Sequence, residues 1–278
     1  MTSPALEALA RQALEGDRDA LDSLLRSLQG DLYGLALRML WNREDAEDAT
    51  QEILVRIVTR LSQFNFESRV KTWAYRVAVN YILDTKKSAV ERLHGGFERF
   101  AENLEAGLQP ASAGDAERLV LIDEVKVGCS LAMLQCLDRP HRLAYVLGDI
   151  MELAGPEASE VLEINPALFR KRLQLAREQV RTFLRAHCGL VSDTALCRCN
   201  RHVPASAATG PADAQPLRFA RRSTSFEEAR AVVRLVEEAR WALEVHRSSQ
   251  PPDASVDFAQ QLLTSLDRSL AGGAPPRS

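Results

Sequence analysis

With 278 residues, 46% of them hydrophobic and 26% charged, the chain has the makeup of a soluble globular protein, with room for one large domain or two to three small ones. Its formal net charge of −3 is unevenly spread, and the absence of any stretch of about 18 to 20 apolar residues excludes a membrane-spanning helix. The N-terminal stretch alternates charge with Leu and Ala and lacks an apolar signal core, so the expected location is cytoplasmic.

Taken in chain order, the periodicity is helical throughout. Leu6, Leu9 and Ala13 mark an amphipathic helix that breaks near Gly16. Leu21, Leu24, Leu25 and Leu28 mark a second, and Leu32, Leu35, Ala36 and Met39 a third. A fourth is expected from about Asp45 to Leu61, and a fifth from about Val70 to Lys87. The pattern weakens from Ser88 to Ala116, where Gly95–Gly96 and the stretch Gly107 to Gly114 read as a flexible linker. Helical signal returns from Leu119 to Leu137, and Arg139–Pro140 then opens three short helices ending near His187. Pro204 to Gln215 reads as a second linker. Ser225 and Glu228 form a capping box ahead of Ala229, Val232, Val236, Ala239 and Leu243. A last helix carries Ala259, Leu262, Leu263, Leu266 and Leu270, so the tail reads as a helical hairpin broken at Pro251–Pro252. No run alternates as a strand would. The fold class is all-α.

Two helices carry charge patterns beyond ordinary solvation. Glu44, Asp45, Glu47, Asp48 and Glu52 crowd the start of the fourth, where acids complement the helix dipole. On the fifth, Arg69, Thr72, Arg76, Asn80 and Lys87 fall within about 40° of one line at 100° per residue. Val70, Trp73, Ala74, Val77, Ala78 and Tyr81 fill the opposite side. Arg and Lys neutralise phosphates, while Asn and Thr hydrogen-bond exposed base edges. The loop ahead of it, Phe64 to Arg69, pairs aromatics with polar groups and suits the capture of an unstacked base. Taken alone, each pattern also fits a solvated helix face.

These residues, Asp45 to Ile53 followed by Phe64 to Asn80 and Asp84, resemble region 2 of the sigma-70 family, in particular the extracytoplasmic-function sigma factors. The resemblance implies that Asp48, Gln51 and Glu52 face the polymerase β′ subunit. It implies that Asn65, Phe66, Glu67, Ser68 and Arg69 hold a flipped −10 base, with Thr72, Arg76, Asn80 and Lys87 on the DNA face. The family's small residues after the first Phe of the loop are replaced here by Asn65 and Phe66.

Farther along, Asn165 followed by Pro166 is a strong helix start. The helix it opens carries Arg170, Lys171, Gln174, Arg177, Arg181 and Arg185 on one side and Phe169, Leu173, Ala176, Val180 and Phe183 on another. Such a basic stripe on an acidic protein suits a phosphate-binding surface. The segment from Glu157 to Arg177 resembles sigma region 4, a helix-turn-helix, with Glu163 where the family usually has Gly. That implies −35 recognition by Arg170, Lys171, Gln174, Arg177 and Arg181.

The resemblance spans roughly residues 5 to 187 and implies region 2 over residues 1–90, a linker over 91–116 and region 4 over 117–187. A Cys/His cluster over 188–204 and a helical extension over 205–278 follow. The expected architecture is two helical domains joined by a flexible linker, plus the C-terminal hairpin. The implied partners are core RNA polymerase through its β′ and β subunits and promoter DNA, with an anti-sigma factor as a further candidate. No cofactor is required. Cys188, Cys197, Cys199 and His202 offer ligands for a structural zinc, a thiol redox switch being the competing reading and uncoordinated cysteines the third. Cys129 and Cys136 read as core residues. Two rival functions are a stand-alone helix-turn-helix regulator and a zinc enzyme. Against the second, neither a His-Glu-x-x-His nor a His-x-Glu deaminase motif is present.

Overall fold

The structure is a computed structural model, which describes residues 3–85, 95–108, 116–202 and 256–271. Lys87, the linker from Pro204 to Gln215 and the first helix of the expected C-terminal hairpin lie outside them. All regular structure among the described residues is helical, apart from one isolated bridge between Cys188 and Cys197.

Helix α1 covers Ser3–Leu14 and α2 covers Arg18–Leu40. The break expected between the second and third helices does not occur. Gly30 stays helical inside α2 because the apolar series continues across it, from Leu24, Leu25 and Leu28 to Leu32, Leu35 and Met39, all buried. One glycine costs a helix about 1 kcal/mol, while each buried Leu contributes roughly 1.5–3 kcal/mol. Asp17 caps α2 by accepting from the backbone N–H of Asp19 and Ala20. Trp41, in the left-handed region at φ 54°, closes it. Asn42 then caps α3, Arg43–Arg60, by accepting from Asp45 N–H at 3.0 Å.

Helix α4, Val70–Asp84, has no local capping side chain at Arg69. Its first amide instead donates to the Glu7 carboxylate of α1 at 3.1 Å. Helices α1 to α4 form a bundle around Leu24, Leu28, Ile53, Ile57, Ala74 and Ala78.

The segment expected to be a flexible linker holds helix α5, Gly96–Ala106. Gly95 and Gly96 at φ 59° and 81° form a tight entry turn, a conformation glycine adopts freely. The Phe97 and Phe100 rings then lie 5.2 and 5.3 Å from Phe183. Helix α6, Ala116–Gln135, leads into α7, Arg139–Tyr145, a π-helical turn at Val146–Ile150, α8, Gly155–Val161, and α9, Pro166–His187.

The two halves share one core, and α7 supplies the polar joint. Arg142, 1% exposed, donates from Nη1 to Met39 O at 2.6 Å and to Gln135 Oε1 at 2.6 Å, and from Nη2 to Leu137 O at 2.9 Å. Gln135 Nε2 in turn donates to Arg38 O at 3.1 Å. Arg139 Nη1 donates to Ile82 O at 2.9 Å and Thr85 O at 2.7 Å, at the end of α4. Charged donors thus cap the carbonyl ends of α2 and α4, where the helix dipoles are negative.

A last helix, α10, Phe258–Ala271, packs on α2 and α3. Phe258 meets Tyr33 at 6.1 Å between ring centroids, and the Ala259 amide donates to Gln29 Oε1 at 3.2 Å. Asp257 and Asp267 pair with Arg26 and Arg18 of α2. Of the C-terminal extension, α10 thus lies on the α2–α3 surface.

Replacing Arg142 by Met keeps length and removes the donors. Each stranded carbonyl costs about 1–3 kcal/mol, so a stability loss of about 3 kcal/mol or more is expected in urea unfolding. A loss below about 1 kcal/mol would show that the joint is not held by these bonds.

Candidate polymerase and nucleic-acid interface

On α3, Asp48, Gln51 and Glu52 are exposed on adjoining turns. The neighbouring acids are partly engaged. Glu47 accepts from Arg43 at 2.9 Å, and Glu52 from Arg56 at 3.1 Å, each four residues apart. Helix α10 leaves these three side chains uncovered.

The loop before α4 is built on stacked rings. Phe64 is buried and lies 5.0 Å from Trp73 and 4.6 Å from Phe66. Phe66 sits at φ 60°, strained for an aromatic residue, with Arg11 of α1 over its ring at 4.0 Å. Asn65, Glu67 and Arg69 are exposed around it, and Ser68 is half-buried. Arg11 carried no signal in the sequence, since nothing local links it to a loop more than fifty residues away. Trp73, placed in the core by its wheel position, is half-buried.

The polar stripe of α4 is not open to solvent along its length. Thr72 is 2% exposed, and its hydroxyl donates to Glu157 of α8 at 2.9 Å. Arg76 donates to Glu160 at 2.9 Å and lies 4.0 Å from Glu163. Asn80 remains exposed. The stripe faces an acidic ridge because α8 packs directly on α4.

Helices α8 and α9 form the helix-turn-helix. Asn165 caps α9 by accepting from Leu168 N–H at 2.8 Å, with Pro166 in the first turn. Glu163 holds φ 52° in the turn, the left-handed conformation that a glycine would adopt without strain. Arg170, Lys171 and Gln174 are exposed on α9. Arg177 is engaged: its fork grips the buried Asp149 at 2.8 and 2.6 Å. Those hydrogen bonds hold the guanidinium above its ordinary pKa. Arg181 is half-buried, 3.7 Å from Glu178.

Comparison with known proteins places this geometry. The family Sigma-70 region 2 matches residues 24–91, which span α2 to α4. The extracytoplasmic-function (ECF) RNA polymerase sigma factor SigW of Bacillus subtilis is 28% identical over 187 residues, covering 63% of this chain and 94% of its own. The ECF sigma factor SigE of Mycolicibacterium smegmatis is 28% identical over 184 residues, covering 65% of this chain and 68% of its own. Residues 24–91 thus form a sigma-70 region 2, and over about two thirds of its length the chain is similar to extracytoplasmic-function sigma factors. A solved structure of CnrH in complex with the cytosolic domain of CnrY is similar with a TM-score of 0.47 and 24% identity, covering 65% of this chain and 97% of that one. The relatives named here are sigma factors, so the sigma factor directs transcription by RNA polymerase, and they lend no support to a stand-alone regulator.

In this sigma factor the thiols gather behind the helix-turn-helix. Cys188 and Cys197 are joined through the backbone bridge, and Cys199 packs with Ile122 and Leu190. Cys129 of α6, a core residue by its sequence pattern, lies within electrostatic reach of all three. His202 is buried beside Gly107, and its Nε2 has no hydrogen-bond partner. Among the described residues no three His, Cys, Asp or Glu side chains converge so as to hold a metal ion, so Cys188, Cys197, Cys199 and His202 do not form a ligand set in this arrangement. Burial pushes the Cys197 thiol up to about 12 and raises Cys188 and Cys199 as well. No helix among the described residues is long and apolar enough to cross a membrane.

A thiol at about 12 holds roughly a thousandfold less thiolate at pH 8 than a free cysteine, and thiolate is the nucleophile. Iodoacetamide should therefore label Cys197 at least a hundredfold more slowly in the native protein than in urea, followed by peptide mass spectrometry. Equal rates would mean that the cluster is open.

Proposed function

We propose that the sigma factor grips polymerase and promoter through three separate surfaces. The exposed acids and amide of α3, Asp48, Gln51 and Glu52, dock on the β′ subunit. Asn65, Glu67, Ser68 and Arg69 take an unstacked −10 base beside the Phe64–Phe66–Trp73 stack. Thr72, Arg76 and Asn80 meet the adjoining DNA. Arg170, Lys171 and Gln174 enter the major groove at the −35 element, with contacts to the β subunit nearby. Arg177 is positioned by Asp149 to present its free edge to a phosphate.

The observation that carries this reading is order: a region 2 bundle at residues 24–91 is followed by a helix-turn-helix whose second helix exposes a basic stripe. Opening the duplex then draws on binding energy alone. Extruding a base costs a few kcal/mol, within reach of stacking on aromatics at about 1–3 kcal/mol per base plus phosphate contacts. No covalent step, catalytic group or cofactor is needed, and the protein works in the cytoplasm beside polymerase and DNA. An anti-sigma factor that covers these same surfaces is the natural regulatory partner.

Reconstitution with bacterial core RNA polymerase tests the assignment. The triple variant Asp48→Ala, Gln51→Ala, Glu52→Ala should lose at least tenfold in core affinity while unfolding at the wild-type midpoint, because all three side chains are exposed. Unchanged core binding would move the polymerase surface elsewhere. Lys171→Ala should weaken promoter binding and reduce the slope of log K against log salt by about one.

A further inference from the structure

Helix α1 touches the loop that precedes α4 at two points. Glu7 accepts from the first amide of α4, Val70 N–H, at 3.1 Å, and one turn later Arg11 lays its guanidinium over the Phe66 ring at 4.0 Å. Residues four apart share one face of a helix, so a single face of α1 holds the loop at its middle and at its exit. The loop is shaped to meet it. Asn65 Oδ1 accepts from the Glu67 N–H at 3.3 Å, and Phe66 between them sits at φ 60°, a conformation an aromatic residue keeps only where its surroundings hold it.

Phe66 is not a free platform for a base. Arg11 covers one face of its ring, and the ring leans on Phe64 at 4.6 Å between centroids. The ring serves instead as a pedestal: a guanidinium stacked on an aromatic is fixed in plane, with its N–H donors pointing out from the rim. Those donors are unspent. Arg11 is exposed, and its side chain forms no hydrogen bond or ion pair among the described residues. Cations of α4 are already engaged, Lys71 with Asp31 at 2.6 Å and Arg76 with Glu160 at 2.9 Å.

We propose that Arg11 belongs to the −10 site, where its guanidinium binds the phosphate of the unstacked nucleotide while Asn65, Glu67, Ser68 and Arg69 hold the base. This role depends on the assignment of that loop to the −10 element made above. A base free of its stack swings about its own backbone, so its capture calls for a second contact that fixes the phosphate. An arginine fork matches phosphate oxygens, and one already held by a ring and a helix loses little freedom when it binds. Glu7 contributes by position, since its bond to the head of α4 sets α1 at the height where Arg11 reaches Phe66.

The test uses the full-length protein assembled with bacterial core RNA polymerase. Its probe is the fluorescent single DNA strand that the wild-type holoenzyme enriches from a random-sequence pool, with core polymerase alone as the background. Arg11→Gln, which keeps length and removes the charge, should weaken binding about tenfold and lower the slope of log K against log salt by about 0.7, the share of one phosphate on a single strand. Arg11→Lys keeps the charge and should keep the slope. Arg99→Gln on α5, an exposed arginine outside the loop, should match the wild type. A wild-type slope for Arg11→Gln overturns the proposal, because an arginine that only props the loop would change affinity alone. Arg69→Gln locates such a failure: a lowered slope there confines it to Arg11, and an unchanged slope in both variants rejects the loop itself as the −10 site.

Discussion

Two arginines on one short helix decide how this sigma factor is put together. Arg139 and Arg142 project from α7 into the other half of the molecule and give charged donors to the carbonyl ends of α4 and α2. A helix C-terminus buried without donors would strand several carbonyls, each at a cost of about 1–3 kcal/mol. Guanidinium serves both ends because its donors lie in a fixed fan and its charge opposes the negative pole of each dipole. Once those bonds are made, α7 is fixed against region 2, and the helices that follow it have little choice of place.

That placement governs the electrostatics of the surface. Helix α8 follows α7 by a short turn and comes to lie on α4. Its glutamates meet Thr72 and Arg76 of α4, while Arg170, Lys171 and Gln174 on α9 stay in solvent. One unit therefore presents opposite charges on its two helices, acidic toward region 2 and basic away from it. The acids of α3 lie outside this contact and stay open. The acidic surface of α3 and the polar stripe of α4 thus differ in exposure: the first is open to solvent, and part of the second is covered.

The extra parts of the chain follow similar physics. Helix α5 is held by rings, with Phe97 and Phe100 against Phe183, and so turns a stretch between the two units into a strut. Helix α10 adds Phe258 to the aromatic edge of α2 and sets two acids against Arg18 and Arg26. Of the cysteines behind the helix-turn-helix, Cys199 is buried and Cys188 and Cys197 are half-buried, and loss of water around them raises all three thiols. A protonated thiol is a poor nucleophile.

The sequence by itself determined whatever is written in neighbouring residues. Apolar spacing of three and four marked the helices, Asn165–Pro166 announced the start of α9, and the acidic and basic clusters marked α3 and α9, because each signal is local. The order of those segments was enough to suggest the family. Only the tertiary structure decided what each polar group faces. Thr72 and Arg76 read equally well as solvent-facing or DNA-facing, and the outcome depended on glutamates more than eighty residues away. Arg11 over Phe66, Glu7 at the head of α4 and Cys129 beside the later thiols are of the same kind. A periodic pattern records that a face is apolar or polar, but the identity of its partner is set by how helices pack, and packing is not a property of any one segment.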